Sequence, residues 1–210
     1  MKTTITALFA FFLAMQAQAQ VTVKPGVRAG LNLSNFTNSD MDTKADFYVG
    51  GLVAIKLAKF YTLQPELTYT RQGAKAEYTE VSFDPIVQNS RTYEQDYSIQ
   101  YISLGLMNKF NIVEGFHATV GPTIDFKVGD NFPDFADDEL VGLDIAFNGG
   151  LGYTLPMGLT IEARYKLGFV DIFGDNFEED YYDDYYDDDN GNYDDIILNS
   201  VIQLGLSYTF

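Results

Sequence analysis

The chain has 210 residues, 46% of them hydrophobic, no cysteine and a formal net charge of −17. That length suits one domain, and the apolar content excludes a chain that stays disordered. The absence of cysteine excludes disulfides and thiolate metal sites, and the negative charge argues against a nucleic-acid binder.

Residues 1–19 read as a removable export signal. Lys2 supplies the positive end, Ile5 to Met15 is apolar, and Ala17-Gln18-Ala19 fits a small-residue cleavage site. The expected mature domain is 20–210. The apolar run falls short of the ~20 residues a transmembrane helix needs, and no later run is as long, so any membrane span must be β.

Beyond Gln20 the dominant pattern is period-two alternation, which marks strands with two unlike faces. It predicts eight strands, near 23–33, 47–57, 63–73, 97–110, 116–128, 140–154, 159–169 and 198–210. The seventh shows it best: Leu159, Ile161, Ala163, Tyr165, Leu167 and Phe169 oppose Thr160, Glu162, Arg164, Lys166 and Gly168. In the fourth, Ile99 and Tyr101 fall out of phase with Ile102, Leu104 and Leu106, which a bulge or an inward-facing Tyr101 would resolve.

The links at Ala58–Tyr61, Asn111–Gly115 and Pro156–Gly158 are short. Those at 34–46, 74–96, 129–139 and 170–195 are long, so short and long links alternate and all long ones share one end. This predicts an all-β, eight-stranded antiparallel up-and-down transmembrane β-barrel with short periplasmic turns and long extracellular loops in a bacterial outer membrane. Closure, with the first and last strands paired, spares the edge from hydrocarbon.

The polar face decides which side points inward. Glycines alternate there with long charged side chains, as in Lys24, Gly26, Arg28 and Gly30, and such a face fits a narrow lumen. The same phase puts Lys24, Arg28, Lys56, Lys109, Lys127, Arg164 and Lys166 with Glu66, Asp125, Asp144 and Glu162 in an expected luminal ion-pair network. Mixed signs favour a filled core over an open pore. Phe60, Tyr61, Phe110, Phe116, Tyr153, Tyr208 and Phe210 collect near the short turns as an interfacial girdle.

Three segments carry a family resemblance: Gly26-Val27-Arg28-Ala29-Gly30-Leu31-Asn32-Leu33-Ser34, Leu63-Gln64-Pro65-Glu66-Leu67, and Tyr101-Ile102-Ser103-Leu104-Gly105-Leu106-Met107-Asn108-Lys109. With them the mature chain resembles the PorT-like outer-membrane β-barrel proteins of Bacteroidota, departing from that family where Gly105 replaces its usual proline. The ending Tyr208-Thr209-Phe210 is similar to the aromatic signal read by the outer-membrane assembly machinery. Outer-membrane lipid and that machinery are the partners this implies.

A search for chemistry yields little. His117 is the only histidine, inward near the periplasmic rim. No Gly-x-Ser-x-Gly elbow, phosphate-binding loop or His-Glu-x-x-His motif is present, so neither an enzyme activity nor a cofactor is expected. Glu66 and Glu162 face basic neighbours and read as ion-pair members rather than an acid/base couple.

The fourth long loop holds eleven acids and no base: Asp175, Glu178, Glu179, Asp180, Asp183, Asp184, Asp187, Asp188, Asp189, Asp194 and Asp195. Asp187, Asp189 and Asn190 before Gly191 suggest calcium, although Tyr186 stands where the EF-hand order needs its first acid. With its tyrosines, the loop 175–195 is a candidate contact for divalent cations or a cationic surface partner; the plain alternative is a hydrated acidic loop. The leading function is a non-enzymatic envelope protein with a structural or surface-binding role. Its competitors are a narrow channel or transport and secretion accessory, a lipid-modifying enzyme, and a soluble lipocalin-like carrier.

Overall fold

A computed structural model describes residues 21–39, 41–83, 88–132, 140–172 and 196–210. The strands are β1 (Thr22–Phe36), β2 (Asp42–Lys56), β3 (Tyr61–Phe83), β4 (Gln88–Asn111), β5 (Phe116–Asp130), β6 (Leu143–Thr154), β7 (Leu159–Gly168) and β8 (Asn199–Thr209). Each pairs antiparallel with its chain neighbour, and β1 with β8 completes a closed barrel. The seam runs from Gly26 opposite Thr209 to Phe36 opposite Asn199, and the Phe210 amide donates to the Pro25 carbonyl at 3.0 Å.

Alternation translates directly into two walls. Val27, Leu31, Val49, Leu67, Leu104, Ile124, Ile145, Leu151, Ile161, Leu204 and Leu206 are exposed on the outside, while their polar neighbours in sequence are buried inside. A soluble carrier would reverse these faces, so the barrel presents its apolar wall to lipid. The aromatic girdle lies on that outer wall: Tyr61 packs on Phe60 and Phe110 at centroid separations of 6.5 and 5.4 Å, and Tyr208 meets Phe210 edge-on.

The three short turns leave β2, β4 and β6 at one end. Gly115 and Gly158, with φ of 78° and 92°, supply the left-handed residues that let the last two reverse tightly. The opposite end differs from expectation in extent. Residues 34–46 and 74–96 were expected as connections, yet β1 runs to Phe36, β2 starts at Asp42, and the β3–β4 ladder continues to Phe83 opposite Gln88. Its backbone ladder is continuous, and cross-strand pairs hold its base: Lys75 with Glu94 at 2.7 Å, and the Tyr78 and Tyr97 hydroxyls at 3.0 Å.

Of the two remedies expected for β4, the inward-facing Tyr101 is the one that accounts for its phase; the bulge lies across from it, in β5. Pairing with β5 shifts between Gln100 and Tyr101, passing over Val128, and Tyr101 points inward with Ile99, Ser103 and Met107. The strand never changes phase; its inward residues at this height are simply apolar. They belong to a cluster of Phe36, Ala74, Ile99, Tyr101, Leu140 and Ile172, edged by Met41, Phe132 and Ile197, that fills the lumen at the long-loop end.

Candidate functional site: a plugged lumen and a periplasmic vestibule

At mid-height, β1, β3 and β7 bring two arginines and two glutamates onto one level. Arg28 donates to Glu66 and, at 2.8 Å, to Glu162; Arg164 grips Glu66 with two nitrogens at 2.9 Å each and reaches Glu162 at 2.9 Å. All four side chains are 4% exposed or less. Tyr48 stacks on Arg28, with the guanidinium carbon 4.7 Å from its ring centre, and Gln64 donates to Glu66 at 2.7 Å. Two positive and two negative charges cancel, and the charge-assisted bonds offset the cost of burying them.

Small residues opposite make room for this layer. A Cβ on Gly150 would come within 2.7 Å of the Arg164 stem, and one on Gly205 would overlap the Tyr48 hydroxyl. Toward the loops, Asn32 bridges Thr70 and the Arg71 carbonyl, both at 2.7 Å, and accepts from Gln203 at 3.0 Å. On the β4–β7 side, Lys166 is paired with Asp125, which also accepts from Ser103 at 2.6 Å. Ion pairs, amides and the apolar cluster fill the lumen in successive layers.

Six of the eleven expected network residues lie in these layers, four in the quartet and two in the Lys166–Asp125 pair. Lys127 is inward but pairs at 2.9 Å with Asp130, which the β5 bulge brings round. Asp144 is buried, yet its described hydrogen bond is from the Val170 amide at 3.3 Å rather than from a base. Lys24, Lys56 and Lys109 are the correction. They share the inward phase but sit below the quartet at the short-turn end, and among the described residues none has a carboxylate within ion-pair distance. Period two fixes a side chain's face, whereas its depth follows from strand stagger.

Sequence reasoning also missed a second charged group. Lys44, Asp46 and Arg71 cluster near the loop end, with Lys44–Asp46 at 3.1 Å, Arg71–Asp46 at 3.5 Å, and Lys44 bonded to Ser98. Lys44 and Asp46 fell in a stretch expected to be a connection. Extending the alternation of 48, 50 and 52 backwards would have placed both inward.

Below the quartet the lumen widens into a vestibule of about 720 Å³ open at the short-turn end. Its wall includes Lys24, Lys56, Lys59, Lys109, Thr62, Thr154, Thr160 and Ser207, with Glu114 as its one acid. His117 is buried beside it. Its Nδ1 lies 3.3 Å from the Gly115 carbonyl, its Nε2 packs where a Gly152 side chain would begin, and among the described residues it has no hydroxyl or carboxylate partner. Such a histidine lacks the nucleophile and orienting acid of a hydrolytic site. Among the described residues no cluster of acids or histidines fits a metal ion. The calcium candidates Asp187, Asp189 and Asn190, like the whole loop 175–195 and the export signal, lie outside the described residues.

A family model described as the outer membrane protein beta-barrel domain matches residues 16–174. No curated protein matches the sequence. Among solved structures, Neisserial surface protein A is similar at 11% identity over 91% of this chain and 100% of its own, with a TM-score of 0.49. Ail of Yersinia pestis, solved with the heparin analogue sucrose octasulfate, is similar at 12% over 91% and 100%, with a TM-score of 0.46. OprG of Pseudomonas aeruginosa is similar at 11% over 92% and 98%, with a TM-score of 0.44. Likenesses at these levels transfer neither activity nor residue roles.

Proposed function

This chain belongs to the outer membrane protein beta-barrel family, and on that premise we propose that it is a non-enzymatic envelope protein whose plugged barrel holds long loops at the cell surface for a structural or binding role. The observation that carries the reading is the filled lumen. A conducting barrel needs a continuous wet path, and here the Arg28–Glu66–Glu162–Arg164 layer and the apolar cluster around Phe36 and Tyr101 both stand across it.

A surface-binding role is supported by loop chemistry. The eleven acids of 175–195 interleave with tyrosines, which contribute large contact area with a polar tip, so a cationic partner or divalent ions are the matching chemistry. Within its family, the segments Gly26–Ser34, Leu63–Leu67 and Tyr101–Lys109 support placement with the PorT-like members. Export with cleavage near Ala19 and Gln20, and engagement of the assembly machinery through Tyr208 and Phe210, complete the proposal.

Planar-bilayer recording of the purified, refolded barrel tests it. The expected outcome is an insertion-competent protein without reproducible conductance steps. Stable, voltage-independent steps from the wild-type chain would replace this reading with the channel alternative.

A further inference from the structure

The distribution of lysines is not that of a uniformly neutralised lumen. Every described lysine above the quartet is paired: Lys44 with Asp46, Lys75 with Glu94, Lys127 with Asp130 and Lys166 with Asp125. The four that are not are Lys24, Lys56, Lys59 and Lys109, and all four line the vestibule. Among the described residues, the hydrogen-bond partner of Lys109, deepest of them, is the neutral Thr154 hydroxyl at 3.1 Å. In a chain of net charge −17, with acids to spare, this one cavity concentrates four ammonium groups against Glu114.

We infer that the periplasmic vestibule is a binding site for a phosphate-bearing anion. Like charges gathered around one concave mouth repel one another and focus a positive potential, and an anion seated among them relieves that repulsion. Lysine serves phosphate as a point charge, and the hydroxyls of Thr62, Thr154, Thr160 and Ser207 add neutral donors at the floor and wall. The volume falls in the range of about 300–1,000 Å³ typical of small-molecule sites, so it accommodates an organic phosphate rather than a lone ion. Phe60, Ile112 and Val113 on the turns give an apolar rim for the uncharged part. A soluble organic phosphate and a phospholipid headgroup share this chemistry.

The full-length refolded protein in phosphatidylcholine nanodiscs is titrated with pyrophosphate by calorimetry, and again in nanodiscs containing phosphatidylglycerol. Saturable one-to-one binding is expected in the first lipid. Weakening by several-fold in the second identifies the headgroup as competitor; equal binding in both assigns the site to soluble phosphates. Lys109→Gln should weaken pyrophosphate about tenfold, the loss of one charge-assisted bond. The rim variant Lys24→Gln/Lys56→Gln, at open positions that do not bear on folding, should weaken it comparably. Lys75→Gln, paired at the other end of the barrel, should not. Absence of saturable binding in phosphatidylcholine, or equal binding by wild type and the rim variant, overturns the inference, and neither result depends on whether the lumen conducts.

Discussion

Replacing Glu66 by glutamine is the sharpest perturbation of the luminal plug. The carboxylate takes three nitrogens from two arginines and one from Gln64. Glu66→Gln keeps the volume but leaves Arg28 and Arg164 facing Glu162 alone, so a balanced layer acquires one uncompensated positive charge. Removing one partner of a buried pair costs about 3–5 kcal/mol, and water reaching the layer from the vestibule favours the lower end. With an m-value of about 1–3 kcal/mol/M, a loss of about 3 kcal/mol lowers the urea midpoint by roughly 1–3 M. The assay is equilibrium unfolding of the refolded barrel in lipid vesicles, read by the mobility of unheated samples on gels. Adding Arg28→Gln restores neutrality, so the double variant should lose less than the sum of the single losses. A Glu66→Gln midpoint indistinguishable from wild type, or strict additivity in the double variant, would refute the claim that this layer is a coupled, charge-balanced unit.

Gly205→Ala should cost about 1–3 kcal/mol in the same assay, the usual range for overpacking, because its Cβ would overlap the Tyr48 hydroxyl; Tyr48→Leu in the same chain should return part of that loss. Phe36→Ala, which empties the centre of the apolar cluster, should destabilise by about 3 kcal/mol while leaving pyrophosphate binding intact. Phe210→Ala, at an outward, lipid-exposed position beside Tyr208, should refold in vitro yet accumulate less in the outer membranes of expressing cells; normal assembly would remove its role as a signal. Calcium titration should show uptake that disappears when Asp187 and Asp189 become asparagine, and no uptake by wild type would end the ion version of the loop hypothesis.

Strand number, closure and the facing of each wall were legible because period two is a local property. Arg28, Glu66, Glu162 and Arg164 were assigned to one wall on that basis. Their meeting on one level, and the stranding of Lys24, Lys56 and Lys109 below them, depend on stagger between strands, which no single segment encodes. The apolar cluster was harder still. Phe36, Ile99 and Tyr101 break the rule that apolar residues face lipid, and the only trace in sequence was the dephasing of Ile99 and Tyr101. The continuation of β3 and β4 was hidden because polar, charged alternation looks like loop once it leaves the apolar band, although the backbone ladder does not end there.

That continuation changes where this protein meets its surroundings. Tyr69 marks the outer edge of the apolar wall, and β3 goes on to Phe83. At roughly 3.3 Å per residue the intervening strand measures on the order of 45 Å along its length. The barrel therefore carries a two-stranded extension of β3, braced to β4 by an unbroken ladder that runs to Phe83 opposite Gln88. Along that ladder the distance from the apolar wall is set by strand geometry rather than by loop conformation, and the filled barrel is the footing from which it extends.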